Sequence, residues 1–164
     1  MPEPTEARAP DATAPNAPTS YYKRPGWFAR KVFAPFLNLL MHLGVSAWGS
    51  RVLEHKGRRS GKSFRTPVNL LTVGTDEYLV SPRGESEWVR NVRAANGQLV
   101  LILGRHHQAY TATEVPLVAT PEILRTYLRR WKFEVGMFFE GVGPDSTDAE
   151  FLAVAARHPV FALH

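Results

Sequence analysis

From Gly57 to Arg65 the chain reads Gly57-Arg58-Arg59-Ser60-Gly61-Lys62-Ser63-Phe64-Arg65, with four cations and two glycines in nine residues. Two glycines permit a tight turn whose backbone amides face outward, and guanidinium and ammonium groups around such a turn favour a phosphate or carboxylate. A nucleotide-type phosphate loop needs four residues between its glycines and a helix after it. Here three residues separate Gly57 from Gly61, and Phe64-Arg65-Thr66-Pro67-Val68 reads as strand. The segment is therefore no Walker loop. Two readings fit its composition: a turn that holds a phosphodiester, and a solvated basic hairpin of the common glycine- and lysine/arginine-rich kind.

A second group is Ser81-Pro82-Arg83-Gly84 followed by Glu85-Ser86-Glu87-Trp88-Val89-Arg90-Asn91. It sets Arg83 in a loop at a strand end and spaces Trp88 and Asn91 three apart on a helix, where an aromatic plane and an amide can share a face. Trp88 taken alone equally suits a core position. His106 and His107 are adjacent, but neighbours on a strand point to opposite faces, and no carboxylate or third histidine lies close in sequence, so no metal site is expected. No serine occupies a Gly-x-Ser-x-Gly elbow. With no cysteine in the chain, disulfides, thiolate metal sites and a cysteine nucleophile are excluded, which suits a reducing cytoplasmic interior.

The elements that must position these residues follow from periodicity and punctuation. Strands are expected over Arg51–Lys56 and Arg65–Val73, flanking the basic turn. Gly74-Thr75-Asp76 marks a hairpin to Tyr78–Val80. A short helix then places Trp88, Val89, Val92 and Ala95 on one face and ends at Asn96-Gly97. Leu99–Leu103 and Gln108–Val115 form another pair about Gly104-Arg105-His106-His107. Thr120-Pro121-Glu122 opens a helix through Leu124, Tyr127, Leu128 and Trp131, with Thr120 as cap. Asp148–Arg157 reads as a last helix, and Pro159–Leu163 as a closing strand or extended tail. Hairpins with inserted and appended helices indicate an α+β fold around a small barrel or strongly curved sheet.

The 164 residues, 44% of them hydrophobic, suit one domain with a real core. Residues 1–20, rich in Ala, Pro and Thr, read as a disordered tail, leaving 21–164 as the single domain. Within Trp27–Leu43, the residues Phe28, Val32, Phe36, Leu39, Leu40 and Leu43 recur at helical spacing. This N-terminal amphipathic helix either covers the barrel or makes a peripheral membrane contact. The net charge of +5 favours anionic partners. A nucleic-acid role would rest on charge alone, and no specific nucleic acid is expected.

Taken together, Gly57-Arg58-Arg59-Ser60-Gly61 with Arg65-Thr66-Pro67, and Ser81-Pro82-Arg83-Gly84 through Trp88 and Asn91, resemble two motifs of the deazaflavin (F420)-dependent nitroreductase family. This is a branch of the split β-barrel flavin/deazaflavin oxidoreductases found largely in actinobacteria. The resemblance spans about Arg51 to Val115. It implies a small split β-barrel of antiparallel strands, coenzyme F420 in preference to FMN, and hydride transfer to a nitroaromatic, quinone-like or other conjugated organic acceptor. By the same resemblance Arg58, Arg59 and Ser60 hold the cofactor's phosphate and acidic tail, with Arg65 nearby. Thr66, Pro67, Val68 and Asn69 run under the deazaflavin ring, and Arg83, Trp88 and Asn91 close the other side. The family's nitroimidazole reducers carry C-terminal tyrosines where this chain has Trp131, Phe133, Phe138 and Phe139. A non-catalytic flavin, deazaflavin or fatty-acid binder of the same fold is the alternative. The oligomeric state stays open.

Overall fold

A computed structural model describes residues 49–164. The expected N-terminal tail and the amphipathic helix Trp27–Leu43 lie outside the described residues. Six strands, β1 (Ser50–Lys56), β2 (Ser63–Val73), β3 (Asp76–Val80), β4 (Gln98–Leu103), β5 (His106–Glu114) and β6 (Val160–Leu163), close into an antiparallel barrel in the order β1-β2-β3-β6-β5-β4. Three helices accompany them: α1 (Glu87–Ala94), α2 (Pro121–Val135) and α3 (Asp148–Ala155). The segment expected as strand or tail at Pro159–Leu163 is the strand that closes the barrel, pairing with β3 and β5.

The split in the barrel comes from β2 and β5, each of which changes partner part-way along. Ser63–Asn69 pairs with β1, whereas Leu70–Val73 pairs with β3. In the same way β5 pairs with β4 up to Thr111 and with β6 from Ala112 onward. Pro67 falls in the singly paired half of β2, where its missing N–H leaves no gap in a second ladder.

Strand alternation sorts the apolar residues into two cores. Leu53, Leu70, Leu79, Leu101, Phe161 and Leu163 turn into the barrel with Trp88, Val89 and Val92 of α1, which plugs its end. Their neighbours Leu71, Val80 and Val160 turn outward and carry α2 and α3 through Leu124, Tyr127, Leu128, Trp131 and Phe151. Thus α1 is fixed by the inner core and leaves its polar face to the β1–β2 turn.

Four boundaries differ from the sequence expectation. β2 begins at Ser63, two residues early. The β4–β5 turn needs only Gly104-Arg105, so His106 and His107 are strand residues opposite Leu103 and Ile102. Thr120 stands before α2 in helical conformation and donates its hydroxyl to the Leu117 carbonyl at 2.7 Å, so its side chain caps nothing. α3 stops at Ala155, and its start is fixed by a capping box between Thr147 and Glu150. At the end of α1, Gly97 has φ +81°, and a Cβ there would lie 2.1 Å from the Ala112 carbonyl oxygen. Only glycine lets the chain pass β5 at this point. No described helix is long and apolar enough to cross a membrane.

Candidate functional site

The end of β1, the basic turn, the start of β2 and the polar face of α1 enclose a cleft of about 670 Å3. Its lining comprises His55 and Gly57 from the β1 end, Arg58, Arg59 and Ser60 from the turn, Phe64, Arg65 and Thr66 from β2, and Glu87, Arg90 and Asn91 from α1. The turn is closed by Gly57 N donating to the Lys62 carbonyl and Gly61 N to the Gly57 carbonyl, both at 2.8 Å. Gly61 has φ +65°. A Cβ on Gly57 would lie 2.5 Å from Cε2 of Phe64 and 2.9 Å from Oγ of Ser60. The two glycines therefore do different things: one reverses the chain and the other lets the Phe64 ring lie against it.

Asn91 ties the turn to the helix. Its Oδ1 accepts from the Arg58 backbone N–H at 3.1 Å and from Arg58 Nη1 at 2.9 Å. That commitment leaves Nδ2 as the atom facing His55 Nδ1, 3.3 Å away. The imidazole Nδ1 must then accept, which puts the ring proton on Nε2, 3.3 Å from the Thr66 hydroxyl. The chain of contacts Arg58–Asn91–His55–Thr66 thus needs a neutral histidine. Burial lowers the His55 pKa, in the same direction, although Glu87 pulls the other way.

The electrostatics are strongly positive. Arg58, Arg59, Arg65 and Arg90 line the cleft against Glu87 as its one carboxylate. Glu87 bridges Arg58 (2.6 Å) and Arg90 (2.7 Å), and the hydrogen bond from Arg58 is the main reason its carboxyl sits below the usual range. Arg65 is paired with Glu54 at 2.8 Å on the neighbouring strand. Arg59 is exposed and makes no side-chain hydrogen bond or ion pair among the described residues. A set of guanidiniums, a serine hydroxyl and turn amides is a donor array for phosphate and carboxylate oxygens. Among the described residues no group of three or more His, Asp or Glu side chains could hold a metal.

The cleft gathers Arg58, Arg59, Ser60, Arg65, Thr66 and Asn91 from the residues expected around the cofactor, and does not gather the other five. Pro67, Val68 and Asn69 continue along β2 beyond it, where Asn69 accepts from the Ser50 hydroxyl and donates to Glu134 of α2, both at 3.3 Å. Trp88, expected beside Asn91 on the ligand side, instead turns into the barrel against Phe161, ring centroids 5.6 Å apart. Arg83 lies 4.8 Å over the Phe138 ring, outside the cleft lining. His55, Phe64, Glu87 and Arg90 also line the cleft and are not among the residues expected there. A signal for His55 existed: Leu53, His55 and Gly57 alternate inward along β1.

The same fold is found in solved structures of low sequence identity. One, described as the structure of an F420-H2 dependent reductase (FDR-A), aligns with a TM-score of 0.50 at 16% identity over 71% of this chain and 94% of its own. Another, described as a domain-swapped dimer, gives 0.53 at 15% identity, covering 80% and 96%. The protein Atu2129 of unknown function from Agrobacterium tumefaciens str. C58 gives 0.53 at 10% identity, covering 89% and 58%. No curated protein matches the chain. Residues 42–135 take in β1, the basic turn, β2 and α1, hence every side chain lining the cleft. Because this stretch, over half of the chain, matches the model of the F420H(2)-dependent quinone reductase family, the chain belongs to that family.

Proposed function

We propose that the cleft anchors the phosphate and acidic tail of reduced F420 through Arg58, Arg59, Ser60 and Arg65, with the deazaflavin laid along Thr66, Pro67, Val68 and Asn69. Family membership makes the chain an F420-dependent oxidoreductase with coenzyme F420 as its cofactor. The observation that carries the rest of the reading is the donor set of the cleft: four guanidiniums around a glycine-bracketed turn, one of them, Arg59, without a protein partner among the described residues. Such an array fits a ligand that carries several anionic groups.

When bound, reduced F420 supplies a hydride from its deazaflavin ring to an acceptor. The protein's part is position and electrostatics. Arg58 is oriented by Asn91, and Asn91 is oriented by His55, so the turn is fixed before ligand arrives. Trp88 and Arg83 act on the site indirectly, Trp88 by seating α1 in the barrel and Arg83 by holding its loop on Phe138. The acceptor is a quinone-like molecule, a nitroaromatic or another conjugated compound. The family's description favours the quinone.

Fluorescence titration with F420 and FMN, followed by oxidation of reduced F420 with a quinone and a nitroaromatic offered in turn, tests this reading. F420 is expected to bind more tightly than FMN, and the quinone to restore its oxidised absorbance. Equal affinity for FMN would count against the anchoring role of the arginines. Tight F420 binding with no oxidation by any acceptor would favour the non-catalytic binder.

A further inference from the structure

Two arginines that line the cleft, Arg58 of the turn and Arg90 of α1, already share an anion. Glu87 Oε2 is 2.6 Å from Arg58 Nη1, and Oε1 is 2.7 Å from Arg90 Nη2. One carboxylate with each oxygen on a different guanidinium is the arrangement two arginines adopt around a bound carboxylate or phosphate. Arg58 does not depend on Glu87 for its place, because its backbone N–H and Nη1 both donate to Asn91 Oδ1. Arg90 has further capacity, since its Nε is buried without a partner among the described residues. Glu87 itself is 65% exposed and stands in the first turn of α1, so it can swing into solvent at the cost of these two exposed ion pairs and little packing.

We propose that Glu87 is a tethered competitor for the anionic tail, occupying the bridge between Arg58 and Arg90 that the cofactor's phosphate or carboxylates take when they bind. This deepens the proposed function and rests on it. Entry of the ligand then exchanges one anion for another at this bridge and forms no additional ion pair. A ligand with a single terminal phosphate gains little by the exchange. A ligand with several anionic groups displaces Glu87 with one and engages Arg59 and Arg65 with the others. Glu87 is thereby a specificity residue: it lowers affinity for every anion and lowers it proportionately most for those of small charge.

The test is Glu87→Gln, which keeps the size and helical position of the side chain and removes its charge. Affinities of parent and variant are measured by fluorescence titration with F420, FMN and the uncharged deazaflavin chromophore lacking phosphate and tail, and by calorimetry with inorganic pyrophosphate, at two ionic strengths. Two exposed ion pairs are released, so F420 should bind about three- to thirtyfold more tightly. FMN should gain at least as much, narrowing the preference for F420. The uncharged chromophore should not respond. Affinity of the variant should also fall more steeply with salt, because its arginines meet the ligand without a prior anion. Weaker or unchanged F420 binding in the variant, or an equal gain for the uncharged chromophore, overturns the proposal. If the parent fails to bind F420, the functional reading fails, and pyrophosphate then decides the Glu87 competition alone: tighter binding in the variant upholds it and equal binding sinks it.

Discussion

Replacing Asn91 with Ala should separate the turn from the helix that holds it. The substitution removes an acceptor of two hydrogen bonds from Arg58 and a donor to His55 Nδ1, at 3.1, 2.9 and 3.3 Å. A typical bond of this kind contributes a net 0.5 to 1.5 kcal/mol, and a buried group left without a partner costs roughly 1 to 3 kcal/mol. The Arg58 guanidinium can turn to water, because that side chain is 26% exposed and keeps Glu87. The His55 ring, only 4% exposed, cannot. We therefore expect Asn91→Ala to lose about 2 to 4 kcal/mol in urea unfolding and to weaken F420 binding. Asn91→Asp provides the control, since it keeps an acceptor for Arg58 but turns a carboxylate oxygen toward His55 Nδ1. It should raise the imidazole pKa, readable by proton NMR, and lose less stability than Asn91→Ala at pH 6 than at pH 8. A stability change under about 0.5 kcal/mol in Asn91→Ala, or an unmoved His55 titration in Asn91→Asp, would refute the chain of contacts from Arg58 to Thr66.

Arg59→Ala should weaken F420 about tenfold, and Arg58→Ala with Arg59→Ala on the order of a hundredfold, while turnover at saturating cofactor changes much less; unchanged affinity in a folded double variant would return the turn to a solvated hairpin. Gly97→Ala should cost at least about 2 kcal/mol, since the strained φ and the Ala112 carbonyl both oppose a side chain; chemical denaturation checks this. His158, stacked on Phe139 at 4.0 Å, is pushed by burial down to about 4 from the ordinary histidine value of 6.5. Below pH 6.5 the unfolded chain therefore takes up a proton that the folded chain does not, and stability falls by about 3 kcal/mol as the pH drops toward 4, then levels. In His158→Gln that part of the acid limb should flatten, as measured by urea midpoints from pH 7 to 4.

What was legible in the sequence was whatever depends on near neighbours. The basic turn, the Gly74-Thr75 hairpin and the short helix after Gly84 follow from glycines and periodicity, and the structure has all three. Tertiary relations were less accessible. Trp88 and Asn91 stand near each other on one helix, yet α1 plugs a barrel, so a rotation of one residue step decides which faces the inner core and which the turn. His106 and His107 looked like loop because they follow glycine and arginine, whereas a two-residue reversal suffices once Leu103 and His106 are in register. Glu87 and Arg90 read as an ordinary solvated helix face. Only the arrival of Arg58, 29 residues before Glu87, turns that face into one wall of a cleft.

The exchange of partners along β2 and β5 also has a kinetic side. β6 is the clip that joins β3 to β5, and its first contact, Val80 with Val160, links residues eighty positions apart. Until that long loop closes, β3 and the far half of β5 present bare edges, and the inner core lacks Phe161 and Leu163. Closing a loop of this length adds little to the equilibrium cost, since loop entropy grows only with the logarithm of length, but it delays the contacts that reward it. The barrel should thus assemble late and cooperatively, and the cleft with it: its residues span only 55–91, but α1, which forms one of its walls, is seated through Trp88 against Phe161 of the last strand.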